Sequence, residues 1–364
     1  MKITTSRPGS RARARLTPIL ILAAIAAFRI APAASADIGY SFGPIGNPDN
    51  ADDVGDIGGV SYTYYIGIYA VTLTQYAAFL NAVAQTDPYS LYNPSMATDL
   101  NVAGIKRKGT SGKYTYAVIG SGARPVTYVS WFDAARFCNW LQNGQPAGLG
   151  EVAGSTEQGA YTLNGANSGI ILKNASAVYW IPTGSEWYKA AYYYPQHWIS
   201  FDYIPAGYYL YATKSTNPPG NDKKAGTNDA NYYNGLYSVT QSSSYSSSQQ
   251  YLTDVGAFKN SSSWYGPYDL NGDVSQWNDE VFNGNPQTRG AWGGSWSGGA
   301  SAMESYDTTA NSYDPRTGNS TLGFRVASSS ATSAPAAAVS AGTQVIKAQT
   351  ALPAHPGAAA RGKK

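Results

Sequence analysis

The chain has 364 residues, of which 13% are charged and 13% aromatic, with 39 Gly, 30 Tyr and a single Cys. One cysteine excludes an intrachain disulfide and a thiolate cluster, and two histidines exclude a His-rich metal centre. The formal charge of +3 owes its sign to the N-terminal segment, and no basic patch follows it, so no nucleic-acid partner is expected.

The N-terminus reads as a signal peptide over residues 1–36. Lys2, Arg7, Arg11, Arg13 and Arg15 form a basic region, residues 16–30 are mostly apolar, and Ala34-Ser35-Ala36 supplies a small-x-small cleavage site. A membrane anchor needs roughly 20 apolar residues, and Arg29 interrupts this run. Cleavage removes six of the 25 basic residues and none of the 22 acidic ones, leaving 19 against 22 and a charge of −3. The expectation is an exported chain, periplasmic or extracellular, with no stable membrane anchor after cleavage.

Residues 37–327 read as one large domain, unbroken by a polar linker. Abundant Gly, Asn, Ser and Tyr with sparse charge predict a loop-rich fold with short strands. A strand is expected at 62–68. A helix follows over 74–83, with Tyr76, Phe79, Leu80 and Val83 at helical spacing and Thr74 as N-cap. Further strands are expected at 114–119, 160–163 and 178–181. A stronger helix spans 130–141. Ser130 caps it, Asp133 closes a capping box, and Ala134, Phe137, Cys138 and Leu141 share one face, so Cys138 reads as core. A third helix starts near Thr183 and runs through Ala191. His197, beside Tyr192-Tyr193-Tyr194, reads as a packed or surface neighbour of aromatic rings; His355 lies in the tail. Residues 241–250 form a Ser/Gln-rich surface loop. A last strand is expected at 323–327, and the Ala/Ser/Pro-rich residues 328–364 read as a disordered tail ending in Arg361, Lys363 and Lys364.

One stretch stands out. Residues 271–299, NGDVSQWNDEVFNGNPQTRGAWGGSWSGG, carry Trp277, Trp292 and Trp296 with Asp273, Asp279 and Glu280 among many Gly. It reads as the rim of an active site or a ligand pocket.

Six stretches, in order, resemble the formylglycine-generating enzyme (sulfatase-modifying factor) family. They are IGIYAVTLTQYAAFLNAV, RPVTYVSWFDAARFCNWL, YWIPTGSEWYKAAYY, YGPYDLNGDVSQW, RGAWGGSW and LGFRVA, running from Ile66 to Ala327. The resemblance implies an α+β, loop-rich, C-type-lectin-like fold. It is closest to exported bacterial members with a C-terminal sorting helix, which this sequence does not show.

The resemblance also implies what the site should hold. Formylglycine-generating enzymes oxidise a substrate cysteine with oxygen, using copper held by two cysteines after the G-G-S-W strand. Here those positions fall at Gly298 and Met303. Copper(I) prefers thiolates, so copper is not expected. The family's three-histidine iron branch is excluded by the two histidines. A calcium site implied by the G-N-V-W-E-W turn maps to Asn271, Gly272, Val274 and Gln276, with Gln replacing the Glu and Asp273 adding a charge. A second begins at Asn231 and Tyr232, its acidic partner falling near Gln249. The alternative for both is a turn closed by side-chain hydrogen bonds.

Plainer roles are expected elsewhere. Glu186 reads as a structural carboxylate at a helix N-terminus, Asp133 as a cap, and Arg325 as half of an ion pair. Asp279 and Glu280 are expected to face opposite ways, as neighbours in a strand do. The leading expectation is a secreted, non-catalytic domain binding a peptide, glycan or surface ligand in a groove with Trp292, Ser295, Trp296 and Arg325. The alternatives are a divergent oxidase, which requires Cys138 and Met303 to cluster, and a purely structural protein without a tryptophan-lined pocket.

Overall fold

The computed structural model describes Met1 and residues 38–199, 202–204, 206–224, 226–281, 284–306 and 312–331. The expected signal segment, His355 and residues 332–364 of the expected tail lie outside the described residues.

Three helices of nine or more residues begin with the same local device. α1 (Leu73–Val83), α3 (Trp131–Gln142) and α4 (Gly184–Tyr192) each open on a capping box, through Thr72 and Gln75, Ser130 and Asp133, and Thr183 and Glu186. The cap of α1 is therefore Thr72, not Thr74. Gln75 is the residue three positions on that can bond back to the Thr72 amide, at 2.9 Å. A short helix, α2 (Ser95–Thr98), lies between α1 and α3. Ser130→Ala removes one cap oxygen and should lower stability by about 1 kcal/mol, read as a shift in the urea midpoint.

α3 is buried on every side from Trp131 to Leu141, so its polar side chains must find partners inside the protein. Arg136 forms a two-pronged pair with Glu157 at 2.7 and 3.2 Å. Asn139 takes both backbone groups of Tyr161, at 2.7 and 3.0 Å. This is why the expected strand at 160–163 is reduced to a single bridge, Tyr161 with Lys173: a side chain satisfies the backbone that a neighbouring strand would otherwise pair. Tyr76 and Phe79 of α1 meet Phe137 of α3 at 6.2 and 5.3 Å, and Phe137 meets Phe324 edge-on at 5.2 Å. Cys138 is wholly buried in this core.

Two four-stranded sheets carry the rest. The first orders β1 (Phe42–Ile45), β2 (Tyr64–Gly67), β14 (Ala327–Ser328) and β5 (Tyr179–Trp180), all antiparallel. The second orders β12 (Ser312–Tyr313), β11 (Arg289–Trp292), β10 (Ser275–Trp277) and β13 (Leu322–Phe324), with β10 and β13 parallel. Among the described residues there are also three two-stranded pairs: β3 (Ile105–Lys108) with β4 (Thr115–Val118), β6 (Tyr193–Tyr194) with β9 (Gly207–Tyr208), and β7 (His197–Ile199) with β8 (Asp202–Ile204). The side chain of His197 is outside the described residues.

The single strand expected at 323–327 is two strands in different sheets. Arg325 and Val326 carry the chain across, with Val71 N–H donating to Phe324 O and Gly67 N–H to Val326 O. Ser328 is buried in β14 and Ser329 N–H reaches Val178 O at 3.1 Å. The folded domain therefore continues past 327, into residues expected to be tail. The 241–250 loop is exposed as expected, pinned by Asn101, which donates to the Ser246 and Gln249 carbonyls. No helix among the described residues is long and apolar enough to cross a membrane.

Candidate functional site

The tryptophans of 271–299 do not rim a groove. Trp277 is fully buried and donates to Val129 O at 2.8 Å. Trp292 packs against Trp187 and Tyr188, and Trp296 lies parallel to Tyr251 with ring centres 4.9 Å apart. Ser295 is buried beside them. Aromatic burial explains these rings, and the expectation of a groove lined by Trp292, Ser295, Trp296 and Arg325 is corrected accordingly.

Arg325 is also fully buried, and it forms no ion pair among the described residues. It donates to three neutral oxygens: Gln276 Oε1 at 2.9 Å, Tyr268 O at 2.6 Å and Gly67 O. Burial lowers its pKa to about 10, so it stays charged at neutral pH. Gln276 also accepts from Trp187 Nε1 at 3.0 Å and donates through Nε2 to Asp269 O at 2.6 Å. An amide can both accept and donate in this way, whereas a carboxylate would oppose the Asp269 carbonyl.

The two expected calcium stretches meet each other. Asn231 bridges Gly272, Asp273 N–H donates to Asn231 O, and Asn231 Nδ2 donates to Asp273 Oδ1 and Tyr251 O. Asp273 also accepts from Thr253 N–H and Oγ1–H, and burial pushes its pKa up to about 7. Asn271 accepts from Ala212 N–H and donates to Met303 O. Gly272, at φ +78°, lies so close to Asn231 that an added Cβ would sit 2.4 Å from its carbonyl oxygen. Val274 packs beside Trp296, and Tyr232 O accepts from Asn221 Nδ2. The result is a closed polar knot between segments forty residues apart.

At the family's thiol positions, Gly298 closes a turn on Ser295 O, while Met303 is fully buried with Tyr211, Ala230 and Tyr232. Cys138 belongs to a different packed cluster, and burial pushes its thiol pKa far up. The only thiol and Met303 thus sit in separate buried clusters.

The expected structural carboxylates hold. Glu186 accepts from Thr183 N–H, Trp180 Nε1–H and Tyr62 O–H, at 2.7, 2.8 and 2.7 Å. Asp279 and Glu280 lie beyond the end of β10, so strand alternation does not apply to them. Burial, then the nearby Glu186, raises Asp279 to about 7.

A wide opening on the described surface lies elsewhere. A cleft of about 590 Å³ is walled by the 86–94 loop, the β3–β4 pair, the start of α3 and residues 316–318. A second hollow of about 260 Å³ shares Ser90, Ser130, Asp133 and Arg316 with it. Arg107 stacks over Tyr114 and Tyr92 at 4.3 and 4.8 Å and pairs with Asp87 at 3.0 Å. Arg316 pairs with Asp314 at 2.6 Å. Asp133, raised to about 6 by burial, closes the floor through Ser130 N–H. Apart from Asp133 and Ser130, sequence reasoning missed these residues; no periodicity or motif links them.

A profile of the sulfatase-modifying factor enzyme 1-like domain matches residues 59–330. The chain belongs to that family. Among solved structures, Treponema denticola variable protein 1 is 19% identical at a TM-score of 0.44, covering 82% of this chain and 99% of its own. CarF is also 19% identical, at a TM-score of 0.42, covering 80% and 98%. PvdO from Pseudomonas aeruginosa is 17% identical at a TM-score of 0.38, covering 82% and 99%. No curated protein matches the chain.

Membership in the sulfatase-modifying factor family sets a test for its metals. Copper(I) needs soft ligands, and Gly298 with a buried Met303 offers no thiolate. Calcium needs free oxygens. The Gln276 oxygen is instead held by the Arg325 guanidinium and the Trp187 N–H, and the Asp273 carboxylate is turned into the knot. The site offers copper no thiolate, and these two side chains offer calcium no free oxygen.

Proposed function

We propose that this sulfatase-modifying factor domain is an exported, non-catalytic binding module. What carries the reading is the fate of the two thiol positions: one is a turn glycine and the other a methionine sealed in a core. The lone thiol, Cys138, is buried in another cluster. Neither copper nor calcium enters the reading. The ligand is a peptide, glycan or surface component. It docks in the open cleft beside Arg107 and Arg316, because the tryptophans nearer Met303 are already packed. Loops on a rigid scaffold suit that role.

The test is to supply the mature protein with copper(I), oxygen and a cysteine-containing sulfatase peptide. No aldehyde and no Cys138-dependent copper binding are expected. Turnover that disappears in Cys138→Ser would instead make the chain a divergent formylglycine-generating oxidase.

A further inference from the structure

We infer that the cleft between the β3–β4 pair and the start of α3 binds a neutral oligosaccharide. The inference rests on the binding-module reading and names its ligand. The cleft's volume of about 590 Å³ falls within the size of small-molecule sites, roughly 300–1,000 Å³. Its lining is what separates ligand classes. Pro94 is its one wholly aliphatic lining side chain, the others being polar, charged or tyrosine, so it lacks the deep aliphatic anchor pocket that a peptide hot spot fills.

The polar groups come as planar, fixed pairs. Arg107 is clamped between Tyr92 and Tyr114 and held by Asp87; Arg316 is clamped by Asp314. Each guanidinium thus carries its own counter-charge. With Asp133 on the floor the walls carry no net positive charge to draw in an anion, while the guanidinium N–H groups and the neutral side chains of Ser90, Asn93 and Thr317 offer donors and acceptors. Neighbouring donors and acceptors suit vicinal hydroxyls, and the rings of Tyr114 and Tyr128 offer apolar flanks for sugar C–H faces. Pre-ordered side chains of this kind lose little entropy on binding.

Binding of neutral hexasaccharides (cellohexaose, chitohexaose, xylohexaose, mannohexaose and maltohexaose) and of hexagalacturonate tests this by calorimetry on the mature protein. At least one neutral hexasaccharide should bind tighter than about 1 mM. Its affinity should be unchanged between about 50 and 500 mM NaCl, since no net charge is screened. Arg316→Ala, at a half-exposed side chain, should weaken it about tenfold without loss of fold; Tyr114→Ala should do the same. Failure of every neutral hexasaccharide, binding that survives Arg316→Ala, or binding of hexagalacturonate alone would overturn the inference. Oxidase turnover in the earlier assay would sink the underlying reading, whereas a silent sugar panel without turnover would sink only this one.

Discussion

Arg325→Ala is expected to cost about 3–5 kcal/mol, the combined scale of losing several buried hydrogen bonds from a charged group and opening a cavity. That is a large share of a typical domain's stability. The side chain ties β2, through Gly67 O, to β10, through Gln276, at the point where the chain crosses between the two sheets. Removing it takes the side-chain donor from the oxygens of Gly67 and Tyr268, leaves Gln276 Oε1 with Trp187 alone and opens a cavity at the junction. Arg325→Lys should recover little, because one ammonium cannot reach three divergent oxygens as a planar guanidinium does. Urea unfolding of the mature protein measures this. A loss below about 1 kcal/mol, the value of an ordinary exposed contact, would show that the crossing is held by something other than Arg325.

The second large effect is on pH. Glu151 is buried, accepts only the Tyr89 N–H through Oε2, and leaves Oε1 without a partner. Burial first, then the neighbouring Asp87, raises it from 4.5 to about 8. Arg136 lowers it and Glu157 raises it further, and Tyr76 and Tyr116 feel the same charge. A carboxyl whose folded pKa lies above its unfolded one binds its proton on folding. Its stabilising contribution is complete below about 4.5 and is lost as pH rises to about 8. Asp133 at about 6, and Asp273 and Asp279 at about 7, move in the same direction. The fold should therefore be several kcal/mol more stable at pH 5 than at pH 8, since each tenfold difference in proton affinity between the folded and unfolded chain is worth about 1.4 kcal/mol. Glu151→Gln mimics the protonated form. It should add roughly 2 kcal/mol at pH 8 and nothing at pH 5, flattening the profile. Urea midpoints at the two pH values decide it. A variant with an unchanged slope would clear Glu151 of the role, and stability rising with pH would refute the whole set of raised carboxyls.

These two effects show what was legible beforehand and what was not. The sequence by itself determined the three main helices, because a capping box is a contact between residues three apart and the apolar period lies along the same short run. It placed Cys138 in the core, made Asp133 a cap and set Glu186 as a structural carboxylate at a helix N-terminus for that reason. It also decided the lost thiols, since absence of a residue needs no geometry. Only the tertiary structure decided the rest. Whether a Trp lines a groove or fills a core depends on what packs over it, and Trp296 meets Tyr251 across 45 positions. Arg325 and Gln276 stand 49 positions apart and became partners only once β13 lay beside β10. The cleft draws its walls from residues 86 to 318. Local hydrogen bonds are written in neighbouring residues; burial and cavities are set by where distant segments come to rest.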